Sequence, residues 1–157
     1  MDGYSPHKHI PLASYGIVAG VFTAASAAYV EAHRRSGRSL PGKLPLGDFM
    51  ILAAATQKLS RLIAKERVTS FLRSPFTRYT GEAGPSEVSE EPRGTGLRRS
   101  IGELLICPYC VGHWVAAAAV GAYVRDPDAT RMVAGVFAVL SASDFLNQAW
   151  VALEERT

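Results

Sequence analysis

The stretch E-L-L-I-C-P-Y-C-V-G-H-W-V-A-A-A-A-V-G-A-Y-V, residues Glu103–Val124, decides the fold. From Leu104 to Val124 it carries no Asp, Glu, Lys or Arg, and His113 is its only basic side chain. A helix that crosses the hydrocarbon layer needs about 20 mostly apolar residues, and this block supplies them. Two further blocks qualify. Ile10–Val30 has no charged residue, and Met132–Leu153 has one, Asp144. The mean hydropathy of +0.07 hides them because the apolar residues are bunched. All three blocks are rich in Ala and Gly, which lets membrane helices approach closely. A soluble three-helix bundle would need polar faces that the first two blocks lack. The expected fold is therefore all-α: a small polytopic transmembrane helical bundle.

Around these blocks the chain reads as follows. Its 157 residues make at most one domain. The first block contains Gly16 and Gly20 as G-x-x-x-G, continued by Ala24 and Ala27, a face suited to helix packing. Tyr15 and Tyr29 stand near its ends as interfacial aromatics would. The polar tail before it has too little positive charge for a signal peptide, and its two histidines, His7 and His9, read as solvated. A basic loop with Arg34, Arg35, Arg38 and Lys43 follows. Next comes an amphipathic helix with Leu52, Ala55, Leu59, Leu62 and Ile63 on one side and Lys58, Arg61 and Lys65 on another. Asp48 is placed to cap its start and Ser74-Pro75 to end it. Its uncharged core, Phe49–Gln57, is too short to span alone, so this helix dips into one leaflet or crosses with Lys58 and Arg61 held inside protein. The bundle is thus three spans plus one embedded or dipping amphipathic helix. Tyr79–Gly96 is polar and rich in Gly and Pro, without periodicity, and reads as a linker. The Arg125–Arg131 connection, with its Asp-Pro, reads as a turn between antiparallel helices.

Loop charge sets the expected orientation. With a dipping helix, thirteen Lys and Arg residues collect between Glu31 and Glu103 and only Lys8, Arg125 and Arg131 lie opposite, Arg156 joining the larger group. That places the long linker and the C-terminus in the cytoplasm and the N-terminus outside. With a crossing helix the balance is nine against six, and Lys58 and Arg61 fall within the membrane.

Two motifs carry a resemblance. Asp48, Phe49, Lys58, Arg61, Leu62, Ile63, Glu66, Val68, Thr69, Arg73, Pro75 and Phe76 fit one pattern, and Cys107, Pro108, Cys110, Gly112 and Trp114 a second. Together they resemble the domain-of-unknown-function 1360 family of small bacterial membrane proteins, over roughly 47 to 153. Lys58 stands where the pattern has Arg. The resemblance implies a multi-pass protein of the bacterial plasma (inner) membrane and no particular activity. Residues 1–45 then form a tail, an added helix and a basic loop. Residues 46–157 form the family-like domain, with the linker at about 79–98.

Few residues promise chemistry. Cys107 and Cys110 are the chain's two cysteines, so no disulfide framework exists. Three apart on a helix, they share a face, and a helix N-terminus favours a thiolate. C-P-Y-C is also the glutaredoxin active-site tetrapeptide, although nothing around it reads as that fold. Three readings stay open: packing, a reversible dithiol, or zinc shared with a second copy or partner, since two cysteines do not complete a tetrahedral shell. His113 is the next ligand to propose, yet it points about 120° from Cys107. Asp144 is costly within a span unless paired. Ser141, Asn147 and Gln148 share its side, and Lys58 or Arg61 is its natural partner. Arg73 and Arg78 could meet anionic headgroups or a partner, and Gly112 belongs to the small-residue packing positions. No nucleotide loop, nucleophile–base set or nucleic-acid motif is present. The leading expectation is a non-catalytic scaffold, accessory or regulatory subunit, without a cofactor, that binds the lipid bilayer and copies of itself or another membrane protein. A thiol–disulfide relay and a solute or proton pathway along Asp144 are the alternatives.

Overall fold

The computed structural model of the chain describes residues 10–37, 40 and 42–156. His7, Lys8 and His9 of the tail and Arg38 of the basic loop lie outside them. The elements in order are α1 (Leu12–Arg35), α2 (Leu46–Lys65), a 3-10 turn (Arg67–Thr69), α3 (Ser70–Arg73), β1 (Thr77–Gly84), β2 (Glu87–Pro92), α4 (Gly96–Leu105), α5 (Pro108–Arg125) and α6 (Pro127–Glu154). α1 and α6 are each long and apolar enough to cross a membrane, and α4 with α5 forms a third such segment bent by 80°.

The bend corrects the expected Leu104–Val124 span. Pro108 forces the preceding Cys107 into an extended conformation, φ −106° and ψ 105°, so the helix cannot run through it. α5 restarts with Pro108 in its first turn, and α4 turns aside. The same chemistry separates α5 from α6. Asp126 is extended before Pro127, and its carboxylate accepts the Ala129 N–H at 3.0 Å. The Asp-Pro turn thus shrinks to one residue between two antiparallel helices.

α2 lies along both of these helices. Its Asp48 meets Tyr123 and Arg131, and its Ser60 lies beside Gly112, so α2 is antiparallel to α5. Its Gln57 meets Ser141 and its Lys58 meets Asp144, so it is parallel to α6. The core between them is Leu52, Ala55, Tyr123 and Ala134, with Ile51, Ala119 and Phe137 against it. At 20 residues α2 is about 30 Å long and runs beside its two neighbours. α1 docks on the outside through aromatics at heptad spacing. The Tyr15 hydroxyl donates to Glu103, Phe22 meets Trp114 edge-on at 5.1 Å, and the Tyr29 hydroxyl donates to the Gly121 carbonyl at 2.6 Å. Tyr15 and Tyr29 are therefore tied to α4 and α5 rather than simply placed at the bilayer surface.

The all-α expectation needs a second correction. Much of the expected linker is a β-hairpin in which β1 and β2 pair antiparallel from Thr77↔Pro92 to Gly84↔Glu87, with two irregularities. Pro85 and Ser86 form its tip, and Ser86 takes φ 62°. A lone two-stranded hairpin is marginal in water. This one is held by its surroundings. The Arg67 N–H donates to Ser86 at 2.8 Å, the Arg93 N–H donates to Phe76 at 2.8 Å, and Glu66 bridges to Glu87. α4 closes over it at Gly102, where an added Cβ would stand 2.5 Å from the Phe76 carbonyl oxygen and 3.0 Å from Pro92. Backbone cannot yield as a flexible side chain can. Gly102→Ala is expected to lower stability by about 1–3 kcal/mol through overpacking. Thermal unfolding of the detergent-solubilised protein, with limited proteolysis in the hairpin, would show it; an unchanged midpoint and cleavage pattern would refute this packing.

Candidate functional site

Several polar assemblies among the described residues interrupt the apolar bundle. The most enclosed centres on Arg73, whose side chain is fully buried at the end of α3. Its Nε donates to Glu90 at 2.6 Å; Nη1 donates to the Ile63 carbonyl at 2.6 Å and to Thr69 Oγ1 at 2.7 Å. Nη2 donates to the Glu66 carbonyl at 3.0 Å and to Ser70 at 3.1 Å. One guanidinium thus joins the last turn of α2, the 3-10 turn, α3 and β2. Its donor fork is filled within the protein, which corrects the expectation that Arg73 meets headgroups. Arg78 does stay exposed, 3.6 Å from Glu91.

The second assembly lies on α2. Lys58 Nζ reaches Glu66 at 2.6 Å and Asp144 at 3.0 Å. Asp144 is therefore paired as expected, and with Lys58 rather than Arg61. Arg61 turns to Glu87 in the hairpin. Ser141 is buried and donates to Gln57 at 2.9 Å, whereas Asn147 and Gln148 lie on the exposed side of α6, so the expected polar stripe splits. The third assembly sits at the opposite end. Arg131 makes a two-pronged contact with Asp48 at 2.8 Å on each oxygen, and the Tyr123 hydroxyl donates to the same carboxylate. Asp48 therefore joins α2 to α6 instead of capping its own helix, whose cap makes no side-chain bond.

The fourth assembly is the C-P-Y-C turn. Cys107 occupies the N-cap of α5, and its sulfur accepts the Cys110 N–H at 3.3 Å. The Cys110 thiol lies against the Cys107 sulfur, and both cysteines are free thiols. Cys110 is exposed, Cys107 half-buried, and Tyr109 between them is 85% exposed. His113 does not join them: its Nδ1 is 2.9 Å from the Tyr109 carbonyl of its own helix. Among the described residues no three His, Cys, Asp or Glu side chains gather as a metal site would need.

A cleft of about 550 Å³ runs between α2 and α5. Leu52, Ala53 and Ala116 are among its apolar walls; Thr56, Gln57 and Ser60 form a polar rail, and Arg61, Pro108 and Tyr109 also line it. Gly112 lets the walls meet, since its Cβ position lies 3.5 Å from Ser60 Oγ. At Gly16 and Gly20 an added Cβ would meet nothing within 4 Å, so the G-x-x-x-G face is unused among the described residues.

Sequence reasoning missed the acidic partners Glu66, Glu87 and Glu90 and the Tyr123–Arg131 pair. The signal for the pair was available, since a short turn between antiparallel helices brings residues on either side of it together. The hairpin glutamates gave no comparable signal, because their strands carry no apolar alternation.

The family described as "Protein of unknown function (DUF1360)" matches residues 51–150. The chain is also similar to the Sporulation protein YjcA of Bacillus subtilis (strain 168), 31% identical over 101 residues that cover 62% of this chain and 86% of the relative. No solved structure matches it.

Two outcomes follow from the buried charges. Arg73→Met leaves Glu90 enclosed without its cation and is expected to cost roughly 3–5 kcal/mol. A thermal midpoint within error of wild type would disprove the hub. Asp144→Asn leaves Lys58 with Glu66 as its one remaining acidic partner, and Asp144→Asn with Lys58→Met should be less damaging than the two single effects summed. A coupling of about 0.5–3 kcal/mol is expected from a double-mutant cycle, and simple additivity would rule the pair out.

Proposed function

The chain belongs to the DUF1360 family, and from that premise we propose that it is a non-catalytic subunit of a bacterial plasma-membrane assembly. Its work is to scaffold or regulate other copies of itself or a neighbouring membrane protein. The observation that carries this reading is how the ionisable groups inside the bundle are used. Asp48 is matched by Arg131, Lys58 by Glu66 and Asp144, Arg61 by Glu87, and Arg73 by Glu90. These paired charges hold helices together and are not themselves free to serve a substrate as acid or base. The Lys58–Asp144 pair also favours a structural role for Asp144 over a proton or solute path. The similar sporulation protein is consistent with a developmental membrane assembly.

Helix directions support four crossings, by α1, α2, α5 and α6. Both ends of the chain and the hairpin then share one side. Lys65, Arg67, Arg78, Arg93, Arg98, Arg99 and Arg156 lie toward that side, against Arg34, Arg35, Lys43, Arg125 and Arg131 on the other. The excess of basic residues assigns the hairpin side to the cytoplasm. The N-terminus joins it there, in place of the outside position that a dipping α2 would require. Val68, Phe71 and Leu72, all more than half exposed beside the end of α2, sit where the leaflet surface would cover them. The partners of this reading are lipid and membrane protein, with no nucleic acid.

The unused face of α1 is the surface for assembly. Gly16, Gly20, Ala24 and Ala27 are exposed together, and small residues let a second helix approach closely. Open space at both glycines makes them good test positions, because larger side chains there disturb nothing inside the chain. The full-length protein in lipid nanodiscs is expected to have a mass of two or more protomers. Gly16→Leu with Gly20→Leu is expected to reduce it to one protomer with an unchanged thermal midpoint. A monomeric wild type, or an assembly indifferent to both substitutions, would sink self-assembly through α1.

A further inference from the structure

The subunit reading leaves the C-P-Y-C turn unexplained. Packing accounts for it poorly, because Cys110 is exposed and Cys107 only half-buried. A metal shell within the chain lacks ligands, since His113 turns to the Tyr109 carbonyl and no third acidic, Cys or His group converges among the described residues. What remains is two free thiols in contact. They sit at the 80° bend between α4 and α5, at the hairpin end of the bundle.

We propose that Cys107 and Cys110 form a redox-active dithiol that exchanges electrons with the disulfide of a protein docking at the hairpin end of the bundle. Cys107 is the nucleophile. It is the N-cap of α5, and the Cys110 N–H points at its sulfur from 3.3 Å, a donor that serves the negative charge carried during attack and departure. Pro108 fixes the first turn that aims this N–H. Cys110 resolves the intermediate, its sulfur already touching that of Cys107. Tyr109, the most exposed large side chain of the turn, offers the partner an aromatic contact between the two sulfurs.

The exchange balances in two displacements. The Cys107 thiolate attacks one sulfur of the partner's disulfide, forming a mixed disulfide and releasing one partner thiolate. The Cys110 thiolate then attacks the Cys107 sulfur, closing the Cys107–Cys110 disulfide and releasing the second partner thiolate. The partner gains two electrons, and water protonates its thiolates. A low-molecular-mass thiol reopens the ring by the same steps in reverse. This inference goes beyond the subunit reading, and its failure would leave the nanodisc mass measurement untouched.

The test uses the full chain in nanodiscs, purified without oxygen and equilibrated with mixtures of reduced and oxidised glutathione. After acid quenching and alkylation, intact mass reports how many thiols remain. Molecules carrying two labels or none, interconverting reversibly with the glutathione ratio, are the expected result. Cys110→Ser should arrest with one glutathione on Cys107, because the resolving sulfur is gone. Thiols that stay fully labelled in excess oxidised glutathione would overturn the proposal. So would stable glutathione adducts on both cysteines of the wild type, or bound zinc that blocks labelling and is lost in Cys107→Ser. A thermal midpoint measured on the Cys107→Ser, Cys110→Ser variant separates packing from chemistry. Unchanged stability agrees with the dithiol, and a large loss with inert wild-type thiols would assign the pair to packing.

Discussion

A guanidinium that is fully buried must find a partner for each of its donors or destabilise the fold that encloses it. Arg73 finds them in the Ile63 and Glu66 carbonyls at the end of α2, in Thr69 and Ser70, and in Glu90 on the hairpin. The Ile63 carbonyl belongs to the last turn of a helix and would otherwise need water or a cap. Arg73 therefore ends α2, turns the chain back through the 3-10 turn and α3, and anchors the hairpin in one arrangement. With the hairpin in place, Phe76 and Pro92 form the surface on which Gly102 seats α4. α4 in turn determines where the C-P-Y-C turn leaves the bundle.

The same economy of charge explains how α2 keeps apolar company. It carries Asp48, Lys58, Arg61 and Lys65, too many for a helix facing lipid on all sides. Each of the first three is answered from a neighbouring element: Arg131 on α6, Asp144 on α6, and Glu87 in the hairpin. The pairs lie near both ends and along the shared face, so they also register α2 against α6. An ion pair of this kind need not add much net stability over an apolar contact, but breaking one half of it is costly. Specific alignment is the more useful product.

This arrangement gives the protein two surfaces of different character. One is the small-residue face of α1, unused within the chain and suited to another helix. The other is the hairpin end, where ordered polar structure, basic side chains and the two thiols gather. A membrane subunit that senses or passes on thiol state would need both a rigid bundle and such an exposed pair. The bend at Cys107 sets the pair at the start of α5 and keeps it fixed to that helix.

Sequence alone determined the apolar helices, because hydrocarbon thickness sets a length that composition either meets or fails. It also determined the Asp-Pro turn, the joined face of Cys107 and Cys110, and the need for Asp144 to find a basic partner, since each rests on spacing within a few residues. Pro108 at the start of α5 is equally visible in the sequence, but an unbroken apolar run hides the break that it causes at Cys107. Only tertiary structure decided the rest. The hairpin has no apolar alternation and exists because Arg73, Glu66 and Arg93 hold it from outside. Arg73 looks in sequence like any exposed basic residue near a span, and its burial depends on Glu90, seventeen positions away. The alignment of α2 along α6 depends on Asp48 meeting Arg131, eighty-three positions away. Local patterns report what a segment can do in lipid or water, whereas pairings over such distances depend on how the whole chain closes.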